Sequence, residues 1–363
     1  MIKANPLAED LDHVLDHTHD QWDELRDNRI FVTGATGFFG CWLLETFAWA
    51  NQRLHLNAKA AILTRTPEKL KRQLPHLADN TFDVIVGDVR TFNFPAGGFS
   101  HLINAATESS VELNEKHPTI MFDTIVEGMR HCLDFASQSG VKKLLLTSSG
   151  AVYGKQPAGV SHLTEDYPGG PDPLDPQSAY GEGKRAAELI CVLQAKQSNF
   201  EAKIARCFAF VGPYMKLDAH FAIGNFIRDQ LAGVPISVRG DGTSVRSYMY
   251  ASDLMIWLWT ILFRGESSQA YNVGSEEAIS IAELANRVAA TASPRMPIHI
   301  TEKPVPGAPA ARYVPSTARA QKELDLHCQI SLQSAIERTI AWNRSRSNLN
   351  EAHLIAIPLG GPH

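Results

Sequence analysis

Tyr180 and Lys184 are four residues apart in Tyr180-Gly-Glu-Gly-Lys184, which opens a pattern that predicts a long helix through Leu193. That spacing puts both side chains on one helix face. An ammonium there favours the phenolate and draws the tyrosine pKa down from about 10, which makes a general base. Upstream, Thr147-Ser148-Ser149 ends a predicted strand, and a hydroxyl from Ser149 can hold the same substrate oxygen. Tyr/Lys pairs decorate many exposed helices, so this one gains its meaning from a second motif.

The second motif is Thr33-Gly34-Ala-Thr36-Gly37-Phe38-Phe39-Gly40, where the predicted strand Arg29–Thr33 gives way to a helix over Cys41–Ala50. Glycines permit the tight turn and let a pyrophosphate approach the backbone, and the helix N-terminus supplies N–H groups and the positive end of its dipole. The strand, turn and helix together predict dinucleotide binding. At the end of the second strand a carboxylate would hold the adenosine ribose, but here Thr64-Arg65 stands there and no acid follows until Glu68. NAD or NADP is the expected cofactor, with Arg65 tilting the choice towards NADP. Asp88, followed by Val89, lies after a third strand, where its carboxylate can accept from the adenine amino group.

The elements that must position these groups follow from short apolar runs. Arg29–Thr33, Ala60–Thr64, Phe82–Val86, His101–Asn104, Lys143–Thr147 and Ala202–Arg206 read as strands, most of them separated by helical patterns. That alternation predicts an α/β protein with a Rossmann-type, doubly wound parallel sheet. Beyond Gly212-Pro213 the spacing becomes irregular, with turn signals at Arg239-Gly-Asp-Gly242 and Pro304-Val-Pro-Gly307 and a helix over Ile279–Ala290. The expected organisation is a helical extension (1–28), a dinucleotide-binding domain (29–212), a smaller substrate lobe with some return to the sheet (213–345), and a frayed polar tail (346–363).

The chain has 363 residues, 44% of them hydrophobic and 20% charged, an ordinary globular composition that excludes disordered and fibrous classes. Its net charge of −5 provides no basic field for nucleic acid or an anionic membrane. The most apolar stretch, Leu254–Phe263, is too short to span a bilayer and predicts a buried helix. Five widely spaced cysteines and an N-terminus without a basic start and apolar run favour reduced thiols and a cytoplasmic location. Asp12, His13, Asp16, His17 and His19 have metal-ligand spacing, but Leu7, Leu11, Val14, Leu15, Trp22 and Leu25 describe an amphipathic helix docked by its other face, so no metal is expected.

With these residues in place, the chain from Arg29 to about Trp342 resembles the extended short-chain dehydrogenase/reductases, specifically the NAD(P)-dependent nucleotide-sugar epimerases and dehydratases. The likeness is carried by Thr33-Gly34-x-x-Gly37-x-x-Gly40, Asp88-Val89, Asn104-Ala105-Ala106, Leu146-Thr147-Ser148-Ser149-Gly150-Ala-Val-Tyr153-Gly154, Tyr180-x-x-x-Lys184, Arg206-x-Phe208-x-x-x-Gly212-Pro213, Gly240-Asp-Gly242 with Arg246, Asp253, and Tyr271-Asn-Val-Gly274. It implies a catalytic Ser149–Tyr180–Lys184 set and a lobe that grips a nucleotide-diphosphate sugar. By matching positions, Arg246, Arg312 and Asn225 lie near the diphosphate. It also implies a homodimer through helices around Thr119–Ala136 and Ser178–Leu193.

Departures from the family pattern narrow the chemistry. Dehydratases of the family carry an acid/base pair directly after the catalytic hydroxyl, and decarboxylases carry a glutamate there. This chain has Gly150-Ala151, neither of which can move a proton. What remains is 4-epimerisation through a transient ketone, with reduction of a keto sugar or an atypical dehydration as alternatives, and a dinucleotide-sensing scaffold as the non-enzymatic one. Ala209 and Ile125 replace asparagines common in the family, and Glu108 is the nearby carboxylate with a proton-transfer option.

Overall fold

Strands form where the apolar runs lie, and each begins or ends within about two residues of the span predicted for it. The computed structural model describes residues 5–77, 81–107, 111–219 and 221–355, the side chains of 347–355 excepted. Among the described residues the strands are β1 (Arg29–Thr33), β2 (Lys59–Thr64), β3 (Asp83–Val86), β4 (His101–Asn104), β5 (Lys143–Ser149), β6 (Glu201–Cys207), β7 (Phe210–Val211), β8 (Ile236–Val238), β9 (Val245–Arg246), β10 (Met249–Tyr250), β11 (Gln269–Val273), β12 (Ile279–Ser280), β13 (Ile298–Ile300) and β14 (Arg312–Tyr313). The helices are α1 (Ala8–Thr18), α2 (Phe38–Arg53), α3 (Pro67–Gln73), α4 (Val111–Lys116), α5 (Pro118–Ser139), α6 (Ala179–Gln197), α7 (Ala222–Ala232), α8 (Ala251–Arg264), α9 (Ile281–Ala289), α10 (Ala318–Leu324) and α11 (Leu332–Ile355).

The main sheet has seven strands in the order β11-β6-β5-β4-β1-β2-β3, all parallel. Strand order reverses between β1 and β4, which opens a crevice at their C-terminal ends. Alternation along each strand feeds two cores. Ile30, Val32, Ile103 and Leu145 face α2 and α8, whereas Phe31, Leu102, Leu144 and Leu146 face α5 and α6. Burial on both faces is why the runs read as continuously apolar.

The predicted N-terminal helix is present as α1 followed by a 3-10 turn over His19–Leu25. Leu7, Leu11, Val14, Trp22 and Leu25 are buried, and Trp22 packs on Trp259 of α8 at 4.5 Å between ring centres. On the polar side, Asp12 accepts from the Trp49 indole at 2.8 Å and Asp10 from the Tyr250 hydroxyl at 2.7 Å. Helix α8 is buried along its length except at Arg264, as its composition predicts, and no helix among the described residues is long and apolar enough to cross a membrane.

The smaller lobe gathers β12, β9 and β14 into one sheet, with β8 and β13 paired beside it and α7 and α9 packed over a separate core. Helix α9 starts with a capping box between Ser280 and Glu283. The tail corrects one expectation: α11 continues to Ile355, where fraying was expected from about Ser345. Neither Gly nor Pro interrupts Leu332–Ile355, and the first helix breaker is Pro358.

Candidate active site

The crevice is built from the ends of β1 and β4. Thr33 closes β1, and its hydroxyl donates to Asn104 Oδ1 at 2.9 Å while accepting from the N–H groups of Ala105 and Ala106 at 3.1 Å each. All of that hydroxyl's bonding capacity is used, so the exits of the two strands are locked together. Gly34 follows with φ +74°, and a Cβ there would stand 2.3 Å from the Ala105 carbonyl oxygen. Helix α2 then begins at Gly37 with no side chain capping its first N–H groups. Thr36 is half-buried in this turn, and Phe38 and Phe39 lie side by side, with Phe39 against Phe210. A side-chain-free cradle with uncapped donors fits the pyrophosphate of a dinucleotide.

Arg65 follows β2 directly, at the position expected from the sequence. The Asp88 carboxylate is forked by Arg90, whose Nε lies 2.8 Å from Oδ1 and Nη2 3.2 Å from Oδ2. That hydrogen-bonded guanidinium, despite partial burial, holds Asp88 below the usual carboxylate range, with Arg65 adding to the effect. Arg90 was not singled out from sequence. Val89 is buried against Gly128 of α5.

The catalytic candidates converge at the ends of β5 and α6. Ser149, 7% exposed, caps a short 3-10 helix over Gly150–Tyr153, its Oγ accepting from the Ala151 N–H at 3.1 Å. Lys184, 3% exposed, donates to the Thr147 carbonyl at 2.7 Å and to Thr107 Oγ1 at 2.9 Å. Burial pulls its pKa down to about 8, against the opposing charges of Cys207 and Glu188. Its ammonium lies 5.9 Å from the centre of the Tyr180 ring. Burial raises the Tyr180 pKa in the protein alone, and the neighbouring Ser149 hydroxyl opposes that rise. Ile125, which replaces a family asparagine, is buried against Gly183, between the Tyr and Lys of the pair, so apolar packing backs this turn of α6.

Two residues join the site that sequence reading did not assign to it. Thr107 enters through its bond to Lys184. Tyr313 enters from the smaller lobe, its ring 4.6 Å from that of Phe208 and its hydroxyl over Gly150. Burial raises the Tyr313 pKa, and the nearby Ser149 hydroxyl opposes that rise, as it does for Tyr180. No local pattern marks Tyr313; it reaches the site through the register that pairs it with Arg246 on β9.

That register also separates the two expected phosphate ligands. Arg246 shares the face of Tyr313 and lies close enough to influence its hydroxyl. Arg312 pairs with Val245, so it falls on the other face, where its Nη2 reaches the Ser161 carbonyl at 3.4 Å. The register thus places Arg312 and Arg246 on opposite faces of the strand pair, although Arg246 Nη1 reaches the Ala311 carbonyl next to Arg312 at 3.4 Å. Asn225 lies on α7, its Oδ1 accepting from Arg228 at 3.3 Å. Glu108 lies outside the described residues.

Comparison with known proteins identifies the family and the fold. Residues 30–274 match the NAD dependent epimerase/dehydratase family. The chain is 30% identical to UDP-glucuronic acid decarboxylase 6 of Arabidopsis thaliana over 308 residues, 85% of this chain and 86% of the relative. Among solved structures it resembles a UDP-glucose 4-epimerase from Thermotoga maritima (TM-score 0.73, 18% identity, 88% and 99% of the two chains covered). A dTDP-glucose 4,6-dehydratase from Streptomyces venezuelae, solved with NAD, is equally similar in fold (TM-score 0.73, 22% identity, 88% and 98% covered).

Proposed function

The chain belongs to the NAD dependent epimerase/dehydratase family, and from that premise we propose that it inverts C4 of a nucleotide-diphosphate sugar through a transient 4-ketone. One observation carries the reading: Ser149, Tyr180 and Lys184 converge, while Gly150 and Ala151 beside them offer no group that moves a proton. Among the described residues the site is equipped to shuttle one proton at a carbinol.

The Gly34–Gly40 turn and the first N–H groups of α2 would hold NAD, which would supply the hydride acceptor and donor for C4. Tyr180 takes the proton of the 4-hydroxyl as the C4–H electron pair leaves, and the C4–O bond becomes a carbonyl. Ser149 donates a hydrogen bond to the same oxygen, and the Lys184 ammonium stabilises the Tyr180 phenolate. Once the ketose has turned its other face inward, Tyr180 gives the proton back as hydride returns. Electrons and protons balance without net redox.

Arg246 and Asn225 are the proposed diphosphate contacts, a guanidinium fork suiting the planar array of phosphate oxygens. Arg65 at the end of β2 supports acceptance of NADP beside NAD. Exposed Ile120 on α5 and Leu189 and Leu193 on α6 support pairing of two copies through these helices.

Loss of carbon dioxide is the second reading, favoured by the decarboxylase names of the relatives. Oxidation at C4 of a uronic acid makes a β-keto acid, from which carbon dioxide leaves without a dedicated base as the C5–C6 electron pair passes into the 4-enolate. C5 takes a proton from solvent, and return of hydride and of the Tyr180 proton would restore the C4 hydroxyl. The test is mass spectrometry of the denatured protein for retained nucleotide, then incubation with UDP-, dTDP-, GDP- and CDP-sugars, UDP-glucuronate included. An isomer of unchanged mass supports epimerisation. Loss of carbon dioxide establishes the second reading; loss of water, or a gain of two hydrogens with added NADPH, overturns both.

A further inference from the structure

The Tyr313 hydroxyl does more than fill space over Gly150. Ser149 Oγ has two lone pairs and one proton to place. One lone pair already accepts from the Ala151 N–H at 3.1 Å. Two phenols, Tyr180 on α6 and Tyr313 on β14, compete for what remains, one lone pair and one proton. Which phenol donates to Ser149 decides whether Ser149 donates to the reacting oxygen or accepts from Tyr180.

We propose that Tyr313 is a positioning residue that sets the direction of the Ser149 proton: held over Gly150 and packed against Phe208, its hydroxyl donates into the free lone pair of Ser149 Oγ. Ser149 is then left to donate towards Tyr180 and the substrate oxygen that the two share. This rests on the reading of Tyr180 as the base. The geometry is constrained, since the Tyr313 oxygen lies 2.6 Å from the place of a Cβ at position 150 and the Phe208 ring 2.8 Å from it. Only glycine at 150, the residue next to Ser149, leaves room for the phenol there.

The consequence is a pH effect. A hydrogen bond donated by Ser149 favours the Tyr180 phenolate; one donated by Tyr180 favours the phenol. The other charged or titratable groups around Tyr180 are Lys184 on its own helix, Cys207 on β6, and Arg246 on β9, which acts on Tyr313. Tyr313→Phe leaves all of them in place and keeps the ring that packs against Phe208. It frees the Ser149 lone pair, so Ser149 can accept from Tyr180.

Two measurements on the nicotinamide-loaded protein test this. The first is the pH profile of kcat/KM for Y313F. Its acidic limb is expected to move up by about one pH unit, so that activity on that limb falls about tenfold while the plateau loses less than about threefold. The second needs no turnover: the tyrosinate absorbance of Tyr180, isolated by subtracting the titration of the matching Y180F protein, is expected to shift upwards in Y313F and also in G150A, whose methyl displaces the Tyr313 hydroxyl. A Y313F profile lowered by one factor at every pH, or a Tyr180 titration that stays where it was, overturns the proposal. Wild-type turnover in Y180F would instead overturn the underlying reading of Tyr180.

Discussion

The hydroxyl of Tyr313 stands 2.6 Å from the point that a Cβ on Gly150 would occupy. A residue from the smaller lobe thus occupies the side-chain space next to Ser149, where the family resemblance leads one to expect an acid in dehydratases. The missing carboxylate is consequently more than a local substitution, because Tyr313 and the Phe208 ring have closed the place it would need.

Gly150→Asp should therefore fail to create an eliminating enzyme. Forcing a side chain between Tyr313 and Phe208 costs about 1–3 kcal/mol of stability, and the product panel should show no loss of water. Denaturant unfolding measures the first and mass spectrometry the second. A stable variant that dehydrates a nucleotide sugar would show that the space is open after all.

Tyr180→Phe removes the proposed base while keeping the ring in place. Turnover should fall by roughly 10²–10⁴-fold, with the substrate dissociation constant changed little. Steady-state kinetics and equilibrium titration separate the two quantities. A variant within a few fold of wild type would assign the proton transfer elsewhere.

Lys184 makes stability depend on pH in a defined direction. Burial lowers its pKa from 10.5 in the unfolded chain to about 8 in the fold. Between these values the unfolded chain holds the extra proton, so stability rises as pH climbs from about 8 towards 10.5, and the burial cost is fully felt below that window. Lys184→Met lacks this dependence. In cofactor-free protein, the stability of wild type relative to Lys184→Met should grow by on the order of 3 kcal/mol between neutral pH and the top of the window. A difference that shrinks over the same range would contradict the assignment.

Gly34→Ala should weaken dinucleotide binding. The residue has φ +74°, and its new methyl would meet the Ala105 carbonyl at 2.3 Å. Strain of about 1–3 kcal/mol, discharged by moving the turn, corresponds to roughly tenfold to a hundredfold in affinity. Calorimetric titration of NAD into stripped protein provides the number. Unchanged affinity would place the pyrophosphate away from this turn.

Trp22→Ala addresses the N-terminal extension. The indole is fully buried, packs on Trp259 and Phe263 of α8, and donates to Thr18 Oγ1 at 2.9 Å. Truncation should cost about 3–5 kcal/mol, read as a lower denaturant midpoint. A loss under about 1 kcal/mol would mean that the extension is docked only loosely.

Local spacing was enough to read the strands up to β6, the Gly34 turn into α2, and the Tyr180–Lys184 pair. Each depends on residues a few positions apart, and strand period, turn chemistry and helix period act at that range. It was enough, too, for the absence of a proton-moving side chain at Gly150 and Ala151. Which side chains from distant segments share the site was settled only in three dimensions. Tyr313 and Arg312 are neighbours in sequence, yet alternation along β14 sends one over Gly150 and the other towards Ser161. Thr107 meets Lys184 across a separation of 77 residues. Parallel strands and a second lobe bring together segments joined by long crossovers. Their register is fixed by packing the whole chain, so no local pattern records it.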